Sequence, residues 1–506
     1  MTTGALPGLS LTFVPRGSPE EPLRTDVAVF LGRTRRGPVG VPVRVESWND
    51  VVGALGGPDG TSATPPALRG FFENGGRTAW VVRVCGPADT ASAVWEVAGR
   101  SPARAGFTHE RYRVEATSPG GWANDTRVAI RFRASTVAGP PTVDVRITAP
   151  GEPVEAFSEL PAAEVAERLT ASRLVRLVPL GEAAPGSPLT GAITARWDLV
   201  LGGGADSPPG APEYAAAARA QADLPEPSLV CSPDLGTDVA GTQHVETVLD
   251  LLRVVRPLRD RLVLVDVPPT LSSVDEALRW LATLTASGDD ALLREAAVYH
   301  PPLRSLDSRG ATRPLLTVPS SGHVLGVVAR LDAERGSHHT PANAVLQDAV
   351  DLAEEFPEPQ QARLFEAGVN LLRCTRGRGL LVWGGRTLAP DRRHRFVAHR
   401  RLVHLLVRAI RRVAEPLVFD VNSPELRLTL VRALTSVLLA AFRSGALAGA
   451  RPEQAFRVTC DETNNPVEQD PALVVCEVEV APAAPMEFIR LRLVLGQDRG
   501  LEVTEA

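Results

Sequence analysis

Hydrophobic and polar positions along the chain divide it into segments of different period. Leu9 to Val14 alternates apolar and small residues, as a strand does, and a Pro/Gly/Glu-rich tether follows through Pro22. Val27 to Gly32 is a continuous β-rich run that predicts a strand buried on both faces. Thr64 is placed to cap a helix that opens on Pro65 and Pro66, buries Leu68, Phe71 and Phe72, and exits through Asn74, Gly75 and Gly76. Thr78 to Val84 then reads as a second strand, completing a β, α, β order.

From Pro87 the period shortens. Alternating runs at Tyr112 to Ala116, Thr126 to Arg133 and Thr142 to Ile147 stand between Gly- and Pro-rich turns, which predicts a mostly β insertion. A short helix is expected at Ala162 to Leu169, and the Gly- and Pro-rich stretch 202–210 closes the insertion. Three apolar runs, at Leu229, Leu264 and Ala297, then each end on proline at the spacing of βαβ units. Val248, Leu251, Leu252 and Val255 mark one face of the first intervening helix, and Val274, Leu278 and Leu281 that of the next. Val369 to Cys374 and Leu380 to Trp383 flank a turn containing Gly377 and Gly379, which, like Gly75, stand where positive φ is expected. Two amphipathic helices (Phe396 to Val413, Pro424 to Arg443) and two β-rich runs finish the chain; in the last, Ile489, Leu491, Leu493 and Leu495 share one face.

The pattern describes an α/β protein: a core of mixed, mainly parallel sheet covered by helices, a mostly β inserted domain, and extended N- and C-terminal strand arms. The expected boundaries are an N-terminal arm at 1–22, core at 23–86 and again at 211–484, the insertion at 87–210, and a C-terminal arm at 485–506.

Composition narrows the chemistry. The 506 residues carry a net charge of -5, which gives no global attraction to nucleic acid or anionic lipid. No lysine occurs, which removes P-loop and Schiff-base mechanisms; arginine bias from a GC-rich coding sequence accounts for the absence. The five cysteines have no metal-ligand spacing and read as buried reduced thiols, and no leader-like or membrane-spanning apolar run is found, so a cytoplasmic protein is expected.

Asp234, Asp266 and His300 follow successive strands, where ligands bind in open α/β sheets, so an enzyme with its site at those carboxyl ends is the alternative reading. No glycine-rich phosphate loop and no GxSxG elbow accompany them. His323, His338 and His339, and His394, His399 and His404, lack ligand spacing: His399 and His404 stand about 140° apart on a helix. Asp461 and Glu462 in CDETNN read as a turn between strands. Catalytic residues, cofactors and metals are therefore not expected.

Five segments in order carry a resemblance: RGPVGVPVRVESW from Arg36, RGFFENGGRTAWVVRV from Arg69, PSSGHVLGVVARLDAERGSHHTPAN from Pro319, GVNLLRCTRGRGLLVWGGRTL from Gly368, and RVTCDETNN from Arg457. Together they resemble the contractile tail sheath family, along nearly the whole chain outside the insertion. The modest insertion is more similar to sheaths of contractile injection systems and R-type bacteriocins than to a large virion tail.

The resemblance implies a non-enzymatic subunit that stacks with itself as hexameric rings around an inner tube protein, between baseplate and terminal cap proteins. It implies assembly in the bacterial cytoplasm into a phage-tail-like particle, without nucleic acid or membrane insertion. It also implies exchange of strand arms between subunits, through Leu9, Leu11 and Phe13 at one end and Ile489, Leu491 and Leu493 at the other. One of the two C-terminal helices should meet the tube, and the arginine row Arg401, Arg408, Arg411 and Arg412 is assigned either to the tube or to a neighbouring subunit.

Overall fold

The computed structural model describes residues 23–506 apart from 101–106, 134–141, 162–163, 181–193, 272, 308–314, 418–419, 421, 467–472, 484–488, 497–499 and 506. Leu9, Leu11 and Phe13, with the expected N-terminal arm, lie outside the described residues.

The core is an eight-stranded sheet formed by β1 (Ala28–Gly32), β2 (Val43–Val45), β3 (Ala79–Arg83), β4 (Leu229–Cys231), β5 (Leu262–Asp266), β6 (Ala296–His300), β7 (Val369–Thr375) and β8 (Gly379–Trp383). Its order is β2-β3-β1-β4-β5-β6-β7-β8. The six central strands are parallel, and β2 and β8 add antiparallel edges. β1 is wholly buried because alternate residues feed two cores: Val29 and Leu31 pack on one face, Ala28 and Phe30 on the other.

Helices of eight residues or more number α1 (Trp48–Leu55), α2 (Thr64–Glu73), α3 (Ala211–Ala222), α4 (Gly241–Val255), α5 (Val274–Ser287), α6 (Ser321–Arg335), α7 (Glu358–Glu366), α8 (Val397–Ala414) and α9 (Pro424–Arg443) among the described residues. One face of the sheet is covered by α3, α4, α5 and α7, the other by α1, α2 and α6. The α2–α6 crossing is close: a Cβ on Gly322 would lie 2.4 Å from the Ala67 carbonyl oxygen, and one on Gly326 2.4 Å from that of Phe71. Gly75, Gly377 and Gly379 have φ of 101°, 75° and 80°, as their turns require.

The insertion contains a three-stranded and a four-stranded antiparallel sheet that share one core, with Trp95 of one meeting Trp197 of the other edge to face at 5.6 Å. The buried guanidinium of Arg83, at the end of β3, holds it to the main sheet by donating to the carbonyls of Gly37 and Pro119.

The C-terminal unit has its own core. α8 and α9 pack on the antiparallel strands β9 (Phe456–Thr459), β10 (Leu473–Val480), β11 (Ile489–Gly496) and β12 (Gly500–Glu505). The strand bearing Ile489, Leu491 and Leu493, expected as a free arm, is paired along its length with β10 of the same chain, and β12 closes over its far side. CDETNN is the turn between β9 and β10: Asp461 accepts from the Thr463 N–H at 2.9 Å. No helix of the described residues is long and apolar enough to cross a membrane.

Candidate functional site

Parallel strands begin with carbonyls that their neighbours leave unpaired, and a buried carbonyl requires a donor. At the amino edge of the sheet, α8 supplies those donors. Arg400, His404, Arg408 and Arg411 recur at helical spacing on one side, with Arg401 beside them, while Leu402, Leu406 and Ile410 face the C-terminal core. The helix is thus clamped between a polar edge and an apolar core.

Arg400 grips Glu295, the residue before β6, in a two-pronged contact of 2.7 and 3.0 Å, and His404 Nε2 lies 2.8 Å from the same carboxylate. All three side chains are 1% exposed. Burial alone pushes the Glu295 carboxyl up, but the charges and hydrogen bonds of Arg400 and His404 outweigh it and hold it down to about 2. Burial lowers His404, against the raising effect of the Glu295 charge and its hydrogen bond.

Arg401 donates to the Thr25 carbonyl at 2.6 Å and to the carboxylate of Asp332, near the end of α6. Arg408 donates to the carbonyls of Arg24 and Glu226, each at 2.8 Å, and of Pro227, and its Nε lies 3.4 Å from Asp260. Arg411 reaches the same Asp260 at 3.6 Å. Arg261 meets Gln221 and the carbonyls of Ala222 and Leu224 at the end of α3, and burial lowers it to about 10.

This corrects the surface arginine row: Arg401 and Arg408 are interior fasteners, whereas Arg411 is half-buried and Arg412 exposed. Charged side chains are seldom fully buried without partners, and here the partners come from sequence-distant segments. Glu295, Asp332 and Asp260 carry no local signature of this role in the sequence.

The opposite edge holds the residues of the enzyme alternative. Asp234 lies between β1 and β4, where the strand order switches, and accepts from Ala63 N–H at 2.6 Å, Arg33 N–H at 2.9 Å and Thr64 Oγ1 at 2.6 Å. It therefore caps α2 in place of Thr64, which is already the first helical residue and acts as a donor. A Cβ on Gly32 would lie 1.9 Å from Thr64 Oγ1, so the crevice is filled by protein. Asp266 accepts from Ser321 N–H at 3.0 Å at the start of α6, and burial raises its carboxyl to about 6. His300 is buried, stacked on Phe356, and lowered to about 4 by burial.

A cleft of about 200 Å³ beyond β1 and β3 is lined by Arg33, Arg83, Cys85 and Asp206, and by none of these three. His323 lies buried beneath Gly70, and His338 packs against His339. Of the cysteines, Cys374 is exposed, a departure from the expected burial of all five.

Residues 208–388 match the family model described as the phage tail sheath protein central domain. The tail sheath protein of Vibrio phage KVP40 is 28% identical over 183 residues, 35% of this chain and 26% of that protein, so the chain matches about a quarter of that relative's length. The sheath tail protein of Listeria innocua superposes with a TM-score of 0.65 at 13% identity, covering 94% of this chain and 96% of that one. That of Desulfitobacterium hafniense gives 0.60 at 14% identity, covering 96% and 100%. The contracted helical sheath of the anti-feeding prophage gives 0.54 at 20% identity, covering 95% and 98%. Residues 208–388 are thus similar to the phage tail sheath central domain, and almost the whole chain has the fold of solved tail sheath proteins.

Proposed function

We propose that this chain is the structural sheath subunit of a contractile, phage-tail-like injection particle, polymerising around an inner tube and contracting to drive it through a target envelope. The observation that carries this reading is the sheath central domain together with a sheath fold that extends over the insertion and the C-terminal unit. Similar solved sheaths include contracted assemblies and baseplate complexes. On this reading the subunit binds copies of itself, the tube, the baseplate and a terminal cap, and acts without catalysis.

Rings that stack with a rotation generate a helical tube, and contraction is a shift between two packings of one lattice. A subunit that transmits such a shift has to move as a body. The buried clamp of α8 fits that requirement, because it ties the C-terminal unit to the sheet by charge-assisted hydrogen bonds rather than by a loose linker. Strand exchange between subunits would then use the N-terminal arm and an edge of the C-terminal sheet, where β9 and β12 stand outermost and the strand bearing Ile489, Leu491 and Leu493 is interior.

For the tube contact the candidate surface moves to α9 and the end of α8. α9 buries only the stripe Leu426, Leu430, Leu434 and Leu438 and leaves Leu428, Arg432 and Arg443 exposed. Arg411 and Arg412 flank that face in the chain.

The test is expression with and without the cognate tube protein, followed by negative-stain electron microscopy. Striated hollow cylinders are expected. A monomer that never polymerises, even with its tube protein present, overturns the proposal and returns weight to the Asp234, Asp266 and His300 edge. Reversing Arg411 and Arg412 to Glu should weaken tube co-assembly most at low salt; unchanged co-assembly removes them from the tube contact.

A further inference from the structure

Two cysteines expected to be inert core thiols are neighbours in space. The β9–β10 ladder pairs Val458 with Val478 and Thr459 with Glu477, and continuing that register sets Cys460 directly opposite Cys476. The N–H of Ala481 donates to the carbonyl of Ala455 at 2.8 Å, which marks 455 and 481 as a hydrogen-bonded pair. Such pairs alternate with non-hydrogen-bonded ones, so Cys460 and Cys476 fall at a non-hydrogen-bonded position. There Cα atoms stand about 4.5 Å apart and side chains are closest, inside the separation that a disulfide spans.

Beyond them the ladder is continued by a side chain. Asn465 accepts from the Val475 N–H at 2.6 Å and donates to its carbonyl at 2.8 Å, fixing the backbone next to Cys476. Both cysteines belong to the C-terminal core, and their thiols lie close enough to bear on each other's ionisation. They are not equivalent. Cys476 has no solvent exposure, whereas Cys460, at the end of its strand, keeps 7%. The neighbouring Cys476 thiol favours the Cys460 thiolate, with further help from Arg427, and Cys460 in turn pushes the Cys476 thiol up.

We propose that Cys460 and Cys476 form an oxidisable dithiol, closed to a cross-strand disulfide by a small-molecule disulfide such as oxidised glutathione. The Cys460 thiolate attacks one sulfur of that molecule, breaks its S–S bond and releases one thiolate. Cys476, as thiolate, then attacks the Cys460 sulfur of the mixed disulfide and displaces the second. The two protein thiol protons pass to the two released thiolates, so the protein pair is oxidised and the small disulfide reduced to two thiols. The bond would pin the first two strands of the C-terminal sheet when the protein leaves a reducing compartment. This inference does not depend on the sheath reading.

The test uses the full-length protein, incubated folded with oxidised glutathione, quenched by alkylation in denaturant and mapped by non-reducing peptide mass spectrometry. The expected result is a linked Cys460–Cys476 peptide, three fewer free thiols (two in the link and one in an adduct at Cys374), reversal by dithiothreitol, and a higher thermal midpoint of the oxidised form. Cys374 serves as the control, since its exposed thiol should carry a glutathione adduct without protein cross-linking. Recovery of Cys460 only as an alkylated thiol, as a glutathione adduct, or linked to another cysteine overturns the proposal. The mapping is made on the unsubstituted protein, so no variant has to fold; where C460S folds, Cys476 should be recovered as the alkylated thiol.

Discussion

Replacing Glu295 with Gln keeps the shape of the side chain and removes the charge that Arg400 and His404 share. With Glu295 held down to about 2 against an ordinary 4.5, the shift corresponds to roughly 3 kcal/mol of stability at neutral pH. Loss of one member of a buried pair costs about 3–5 kcal/mol in comparable proteins, because the remaining charge is stranded. The two routes agree, so E295Q should lower stability by about 3 kcal/mol. Because the folded-state carboxyl is depressed, this contribution is fully present above pH 4.5 and declines as pH falls towards 2. The assay is urea unfolding of the unassembled subunit at pH 7, followed by tryptophan fluorescence and by proteolysis of the C-terminal unit. Adding R400M to E295Q should restore part of the loss, since an apolar pair strands no charge. A loss of under about 1 kcal/mol for E295Q, or simple additivity in the double variant, refutes the view that a buried ion pair fastens α8 to the sheet.

Two further outcomes bear on other parts of the molecule. Replacing Asp234 with Ala removes the acceptor for Ala63 N–H, Arg33 N–H and Thr64 Oγ1 and should cost about 2–3 kcal/mol, read as a lower thermal midpoint; an unchanged midpoint removes its role as the cap of α2. His244 Nδ1 accepts from Trp280 Nε1–H at 3.2 Å, and burial lowers its pKa to about 4. The unfolded chain therefore takes up a proton near pH 6.5 that the native ring refuses, and the destabilisation from this site grows as pH falls from 6.5 towards 4, reaching about 2 kcal/mol by pH 5. The stability difference between the parent and H244Q should shrink by that amount between pH 7.5 and 5 in paired urea titrations; a constant difference contradicts a neutral, buried imidazole.

The cap of α2 shows how far local reading extends. Thr64 before two prolines has the composition of a helix start, and the helix does start there. What supplies the cap is a carboxylate 170 residues away, which no local window contains. The arginines of α8 are a second case. Their helical spacing is plain in the sequence, but spacing identifies a face without saying what meets that face. Charged rows normally face solvent, and this one is buried because Glu295, Asp260, Asp332 and the carbonyls of Thr25, Glu226 and Pro227 converge on it from separate segments of the chain.

By itself the sequence determined the parallel strands and their covering helices, the β character of the insertion, the turns at Gly75, Gly377 and Gly379, and the order of motifs that resembles a sheath. The strands, helices and turns follow from periodicity and backbone sterics, which act over a few residues, while the order of motifs rests on resemblance alone. Only the tertiary structure decided that the strand from Ile489 pairs with its own chain, that Arg401 and Arg408 are internal, that Asp234 fills the switch-point crevice, and that Cys460 faces Cys476. Each depends on which distant backbone supplies the missing donor, acceptor or neighbour, and that pairing is fixed only when the sheets assemble in register.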